Sequence, residues 1–357
     1  MKIRVPKVRD KGDNLIAVGM GFITLDIIIT QADKQEISLR GGGSCGNVLT
    51  ILSYLGWRTY PIANLSNNLA SELIISDMKD RGVNVSFIRK STLGRTPVVL
   101  ERVFGKGSRE SLHSYSMHCP FCNTVFPKFK PPSVAEVLKI QNAIAQPSVF
   151  YFDRAFPASL KMADALGDKH ALVFFEPNNI GKEDYFIRAL EVSHVLKCNE
   201  RVYRHIVARR SRNWATPPIV IVTLGENGVK FRMNEGKWNY MKGYKVLDVT
   251  DTAGAGDWFT AGYLSSMFTQ GGMRYNKPTR KKIERAIDEG QRLAALNCMY
   301  VGARDLMYSM PRESVVSLAK SFEREKHSVI LNNKISRPVT KRPAGIDSES
   351  LCEVIHA

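Results

Sequence analysis

Between residues 147 and 231 the chain repeats one pattern: a short apolar run, a more polar stretch, then another short apolar run. The runs are PSVFYFD (147–153), ALVFFEPN (171–178), HVLKCNE (194–200) and PPIVIVTLGENGVKF (217–231). Each is too short for a helix and reads as a buried strand, the last one turning at a glycine into a second strand. ASLKMADALG between the first two reads as a helix. The first half continues the theme. LIAVGMGFITLDIII (15–29) reads as strand, glycine turn and strand; VLTILSYLG (48–56) is helical and stops at Gly56. TYPIANLS is a strand leading into the helix ASELIISDMKDRG. Alternating strands and helices restrict the fold to a layered α/β architecture with a largely parallel sheet.

VSFIRKS and TPVVLERVF, within 85–104, are also strands, and the second alternates as a sheet with one wet face would. With the strand around 24–40, the region 92–118 forms a small second sheet. WFTAGYLSSMFTQGG (258–272) and the stretch 279–303 are helices, the latter basic at its start and apolar at its end. Residues 14–325 form the folded domain. The tail 326–357, rich in Lys, Arg, Ser and Pro, is peripheral or disordered.

The 357 residues are 44% hydrophobic, enough for a large core and against disorder. Lys plus Arg number 51 against 34 Asp plus Glu, a net charge of +17 that draws anions: nucleotides, phosphorylated metabolites or nucleic acid. The six cysteines are scattered apart from the pair in CPFC, unlike a secreted disulfide scaffold. The best apolar run is interrupted by Asp26, so no membrane span is expected and a cytoplasmic protein is.

DTAGAGD (251–257) follows the extended KVLDVT and runs into the helix at 258. Gly254 and Gly256 let backbone approach a ligand, Ala253 and Ala255 add little bulk, and N–H groups opening the helix suit an anion. Asp257 at the mouth of such a cradle is placed to take a proton from a hydroxyl nucleophile, or it simply caps the helix. Asp251 either orients water on a magnesium ion or caps the turn. No GxxxxGK[ST], HRD or DFG occurs, which argues against Walker-type and protein-kinase sites.

A second pattern, GGGSCGNVLTILSYLG (41–56), precedes this turn; EPN (176–178), KCNE (197–200) and TLGENGV (223–229) lie between the two. In this order the motifs resemble the ribokinase-like, or PfkB, family of carbohydrate and nucleoside kinases over roughly residues 14–310. The resemblance implies a three-layer sandwich with a small β-sheet lid, built here from about 24–40 and 92–132 and often used for homodimerisation. It implies an ATP- and Mg2+-dependent transfer of the γ-phosphoryl group to a hydroxyl of a sugar or sugar-like substrate. It makes Asp257 the catalytic base and Ala253, Gly254, Ala255 and Gly256 the anion hole, with Asp251 and Thr252 holding the phosphate end. Asp26, Gly42, Gly43 and Asn47 become acceptor-binding residues. Asn199 and Glu200 fall near the ATP phosphates and the magnesium shell; Thr223, Gly225 and Gly228 on the nucleotide side; Asn297 near the adenine pocket. A nucleoside kinase differs in acceptor only, and a nucleic-acid- or protein-binding regulator on a kinase scaffold is a rival of another class.

HSYSMHCPFCNTVFPKFKPP (113–132) lies outside the family signatures. Cys119 and Cys122 have metal-knuckle spacing, with His113 and His118 nearby, but one CxxC supplies two of the four ligands structural Zn2+ takes. An apolar lid insertion with reduced thiols and redox chemistry are the alternatives. Arg154, after a strand end, reaches a phosphate or acidic substrate, or is a surface residue.

Overall fold

The computed structural model describes residues 15–31, 35–104, 113–144, 146–209, 214–246, 249–268, 275–322 and Cys352. Its strands are β1 (Ile16–Met20), β2 (Thr24–Gln31), β3 (Gln35–Gly42), β4 (Arg58–Leu65), β5 (Ile88–Lys90), β6 (Val98–Phe104), β7 (His113–Ser116), β8 (Val149–Phe152), β9 (Leu172–Phe175), β10 (Val195–Asn199), β11 (Ile219–Thr223), β12 (Val229–Met233) and β13 (Asn239–Met241). The helices are α1 (Ser44–Tyr54), α2 (Leu69–Asp80), α3 (Val134–Gln141), α4 (Pro157–Gly167), α5 (Glu183–Val192), α6 (Glu200–Arg209), α7 (Ala255–Met267), α8 (Arg280–Asn297), α9 (Asp305–Ser309) and α10 (Arg312–Ser321).

Nine strands form the main sheet in the order β13-β12-β11-β10-β9-β8-β1-β4-β5. All pairs from β11 to β5 are parallel, while β12 and β13 return antiparallel at one edge. Strands β8 and β9 are buried at every position. That is the cost of a sheet covered on both faces and the reason these strands read as unbroken apolar runs. Alternate residues feed two cores. Ala17, Val149 and Leu172 face the layer of α1, α7 and α8, whereas Val18, Phe150 and Val173 face α4, α5 and α6. On this second side, Phe150, Phe152 and Phe175 stack ring against ring.

The expected second sheet has four strands in the order β3-β2-β6-β7. Strand β2 runs antiparallel to β3, in a register that sets Thr24 beside Gly42 and Asp26 beside Arg40. Strand β6 is less cleanly half-wet than its alternation suggests, because Glu101 is buried. Its segment 105–112, the His113 side chain and the tail apart from Cys352 lie outside the described residues. No described helix is long and apolar enough to cross a membrane.

Two helix starts differ from the sequence expectation, and both matter for the site. Helix α1 begins at Ser44 rather than 48, after Gly43 at φ 76°. Helix α7 begins at Ala255, so the glycine turn is itself the first helical turn, capped by Gly254 at φ 72°. Glycine makes each possible, since both caps lie where a Cβ would be strained. At its far end the long helix α8 stops at Asn297 instead of running on to 303.

Candidate active site

The C-terminal ends of parallel strands are where open α/β sheets bind ligands, and here they collect the polar residues of the core. Asp153 follows β8, Glu176 follows β9, Lys197 and Asn199 end β10, and Thr223 ends β11. The N-terminus of α7 faces this edge and brings Asp257 into it. Asp257 is buried, and its Oδ2 accepts from Asn47 Nδ2 at 2.8 Å. This one contact joins the two glycine signatures across 210 residues of chain.

The turn before α7 is fastened from below. Asp251 is fully buried; its Oδ1 accepts from the Ala253 amide at 2.9 Å and its Oδ2 from the Gly302 amide at 2.7 Å. Asn297 Nδ2 donates to Ala253 O at 2.7 Å. A Cβ on Gly254 would stand 2.4 Å from the Ala303 backbone, so only glycine lets the turn and the 302–304 loop meet. The first-turn amides of α7 have no helical acceptor and are the natural partners of an anion. Thr252, exposed beside them, accepts the Ala255 amide on its carbonyl at 3.3 Å.

On the lid side, Asp26 reaches back toward the start of α1. Its carboxylate accepts from Thr24 Oγ1 and fills the space next to Gly42, where a Cβ would lie 1.8 Å from Oδ2. The Gly43 backbone also hydrogen-bonds Asp26. Asp153 takes the Phe22 amide at 2.9 Å and the Cys45 amide at 3.0 Å, tying the β1–β2 turn to α1. Thus Asp26, Gly42, Gly43 and Asn47, read separately from the sequence, surround one locus next to Asp257.

Burial sets the protonation of this cluster. It pushes Asp257 up to about 7, reinforced by the nearby Glu176 charge and opposed by the Asn47 hydrogen bond and Lys197. Asp26 is raised by burial to about 6, with Thr24 and Arg304 pulling it down, and Asp153 is raised to about 6, with Arg154 opposing. A carboxyl tuned near neutrality is what a base working at neutral pH requires.

Several site residues carry no role in the sequence reading. Lys197 is 2% exposed, pairs with Glu176 Oε1, and donates to Gly256 O at 2.8 Å. Glu176 also accepts from Thr260 Oγ1 of α7 at 2.6 Å. This ion pair buttresses the first turns of α7 from the sheet edge. Arg304 is likewise buried; its Nε donates to Asn47 Oδ1 at 2.8 Å and its Nη1 to Asp77. It therefore holds the amide that holds Asp257. Lys197 lies in KCNE and Glu176 in EPN, so their strand-end positions were a usable signal. Arg304 in GARD had none.

The structure revises the expectations for Asp251 and Asn297. Of the two readings of Asp251, the contacts favour the cap: its oxygens accept from the Ala253 amide of the turn and the Gly302 amide of the adjoining loop. Asn297 is 0% exposed and props the anion turn, so it does not line an adenine pocket. Gly225 and Gly228, at φ 61° and 96°, shape the short turn between β11 and β12; only Gly225 has open space where a Cβ would go. Thr223, half-buried at the end of β11, opens that turn. Asn199 Oδ1 accepts the Val202 amide at 2.9 Å and caps α6, whose first residue, Glu200, pairs with Arg204 at 3.0 Å.

Residues 127–309, which carry the strand-edge residues and the turn at 251–257, match the family described as pfkB family carbohydrate kinase. The chain belongs to this family. It is an ATP-dependent kinase that phosphorylates a hydroxyl of a small sugar-like molecule. A curated relative, the ATP-dependent ribose-1-phosphate kinase of Halopiger xanaduensis, is 25% identical over 291 residues, 79% of this kinase and 90% of the relative. Arabidopsis thaliana ribokinase, solved with ribose and ATP, superposes with a TM-score of 0.62 at 19% identity, covering 86% of this kinase and 99% of that chain. Salmonella enterica aminoimidazole riboside kinase, solved with its riboside and an ATP analog, gives 0.61 at 18% identity over 85% and 99%. The kinase shares their fold.

Proposed function

We propose that Asp257 is the base of this kinase and that its acceptor is a sugar or sugar-like alcohol bearing an anionic group. The observation carrying the first part is the buried Asp257 carboxylate, held by Asn47 at the first turn of α7. As the acceptor oxygen forms its bond to the γ-phosphorus, its proton passes to Asp257 and the bond to ADP breaks. The amides of Gly254 to Asp257 face the charge that spreads over the phosphoryl oxygens. The residues fit such a group: small residues at 253–256, a left-handed Gly254, and an exposed Gly256. Asp26 and Asn47 orient the acceptor hydroxyls. Mg2+ would neutralise charge on the transferring group, with Glu200 holding it through water and Asn199 beside it.

Arg154 supports the anionic acceptor. Its guanidinium lies 4.3 Å from the Phe22 ring centroid and 5.7 Å from that of Phe129. Its buried Nε has no hydrogen-bond partner among the described residues. Asp153 holds the Phe22 backbone, whose carbonyl abuts Gly43, and the Arg154 charge acts on Asp153, so Arg154 brings positive charge beside the acceptor residues. The curated relative's phosphorylated substrate agrees with that charge. A nucleoside is the second reading, because Phe22 and Phe129, edge to face at 6.2 Å, offer an aromatic wall for a base.

ATP consumption over sugars, sugar phosphates and nucleosides decides among these, using wild type, Asp257→Asn and Arg154→Gln. The expected result is turnover with a sugar phosphate, lowered at least about a hundredfold by Asp257→Asn, and a KM for that acceptor raised at least about tenfold by Arg154→Gln. Preference for a neutral sugar or a nucleoside, indifferent to Arg154, would reject the anionic acceptor. Undiminished turnover in Asp257→Asn would reject the base.

A further inference from the structure

The structure gives the CPFC segment a partner that spacing alone does not reveal. The sulfurs of Cys119, Cys122 and Cys352 all lie within 4.8 Å of one another. Cys119 and Cys352, 233 residues apart in sequence, have their sulfurs 3.6 Å apart. Cys352 packs half-buried against the core.

The local backbone is shaped for a knuckle. Residues 118–125 form a tight hairpin, with an antiparallel bridge between His118 and Val125. The Cys119 amide donates to Thr124 O at 2.9 Å, and the Asn123 amide donates to Cys119 O at 3.1 Å. Asn123 takes φ 58°, a left-handed conformation that asparagine tolerates better than most residues. This reversal immediately after the second cysteine turns the chain back and leaves both thiols of the CxxC on the side that Cys352 approaches.

We propose that Cys119, Cys122 and Cys352 together bind one zinc ion, which clasps the C-terminal segment to the lid insertion. Thiolates about 2.3 Å from a tetrahedral zinc stand roughly 3.7 Å apart. The 3.6 Å separation fits that edge, whereas a disulfide needs about 2.05 Å. An all-sulfur set selects a soft, thiophilic cation over magnesium or calcium. The three thiols release their protons on binding, and the fourth position is taken by water or an imidazole.

The clasp has a consequence for the pocket. Directly after the knuckle the chain buries Phe126 and then packs Phe129 against Phe22 and Phe156. Zinc fixes the root of the segment that walls the acceptor locus. Its role is structural, since no cysteine of the three belongs to the group around Asp257.

Metal content tests this independently of kinase activity. The full chain, purified under reducing conditions without an affinity metal, is assayed for zinc, and X-ray absorption counts its sulfur ligands. The expected result is one zinc per chain with three sulfurs. Cys352→Ser lowers zinc affinity at least tenfold, and chelation lowers the Tm of wild type but not of Cys122→Ser. The idea is overturned by a metal-free chain whose thiols ignore added zinc. It is equally overturned by zinc held undiminished in Cys352→Ser, or by a disulfide between Cys119 and Cys352 in the native protein. Cys352 is half-buried where Cys119 is buried, so Cys352→Ser disturbs packing less than a Cys119 variant would.

Discussion

Asp257 illustrates how a single carboxylate acquires its chemistry from its neighbours. Burial and the charge of Glu176 lift it to about 7, and one hydrogen bond from Asn47 works against them. The base must be ionised to accept a proton, so kcat/KM should rise with pH through about 7 and level off above it. Asp257→Asn removes this limb and lowers kcat by about 10²–10⁴, with KM for ATP little changed. Steady-state kinetics between pH 5.5 and 9 check both. Asn47→Ala removes a stabiliser of the charged form, so the surviving activity should show its limb shifted to higher pH. An unmoved limb would mean that some other group sets the profile.

At the scale of elements, the site depends on two helix starts pressed against backbone. Gly254 caps α7 at φ 72°, with Ala303 where a Cβ would go. Gly254→Ala therefore has to strain the turn or displace the 302–304 loop and, with it, Arg304 and Asn47. A cost of about 1–3 kcal/mol is expected, read as a fall in Tm, together with loss of turnover larger than that fall explains. The same elements show what could be read from sequence. Short runs such as VFYF and LVFF announced parallel strands because burial on both faces removes any need for polar positions. Asp257 and Asn47 were legible because glycines flank them, and Asp26 because it falls five residues after Gly21, as the family pattern implies. Arg304 was not, since a buried arginine in a short loop has no pattern of its own. Asp251 and Asn297 were placed at the ligand, yet they act under the turn. Residue type and spacing do not say whether a polar group points toward a pocket or back into the backbone. Helices α3, α5, α6, α9 and α10 went unread, although α6 buries Val202 and Ile206 four residues apart, the spacing of one helical face.

The whole molecule concentrates uncompensated acid where the lid meets the sheet edge. Burial raises Asp26 and Asp153 to about 6, Asp257 to about 7, and Glu101, also close to the Asp251 and Asp26 charges, to about 8. Their ordinary values are 3.8 for aspartate and 4.5 for glutamate. Between about pH 4 and 8 the native state therefore binds more protons than the unfolded chain, and stability falls as pH rises through that window. Exposed surface pairs such as Arg188 with Asp164 contribute little to this balance. Ligand-free kinase should consequently melt at a lower temperature at pH 8 than at pH 6, with the sign unchanged by moderate salt because the groups are buried. Glu101→Gln deletes the group titrating highest, and Glu101 sits in β6 of the lid, outside the strand-edge cluster. The variant should lose the part of the decline between pH 7 and 8 while keeping the part below it. Calorimetric melts of both proteins across that range test the point. A wild-type Tm that rises with pH would mean these carboxyls find compensation in the folded chain that their surroundings do not show.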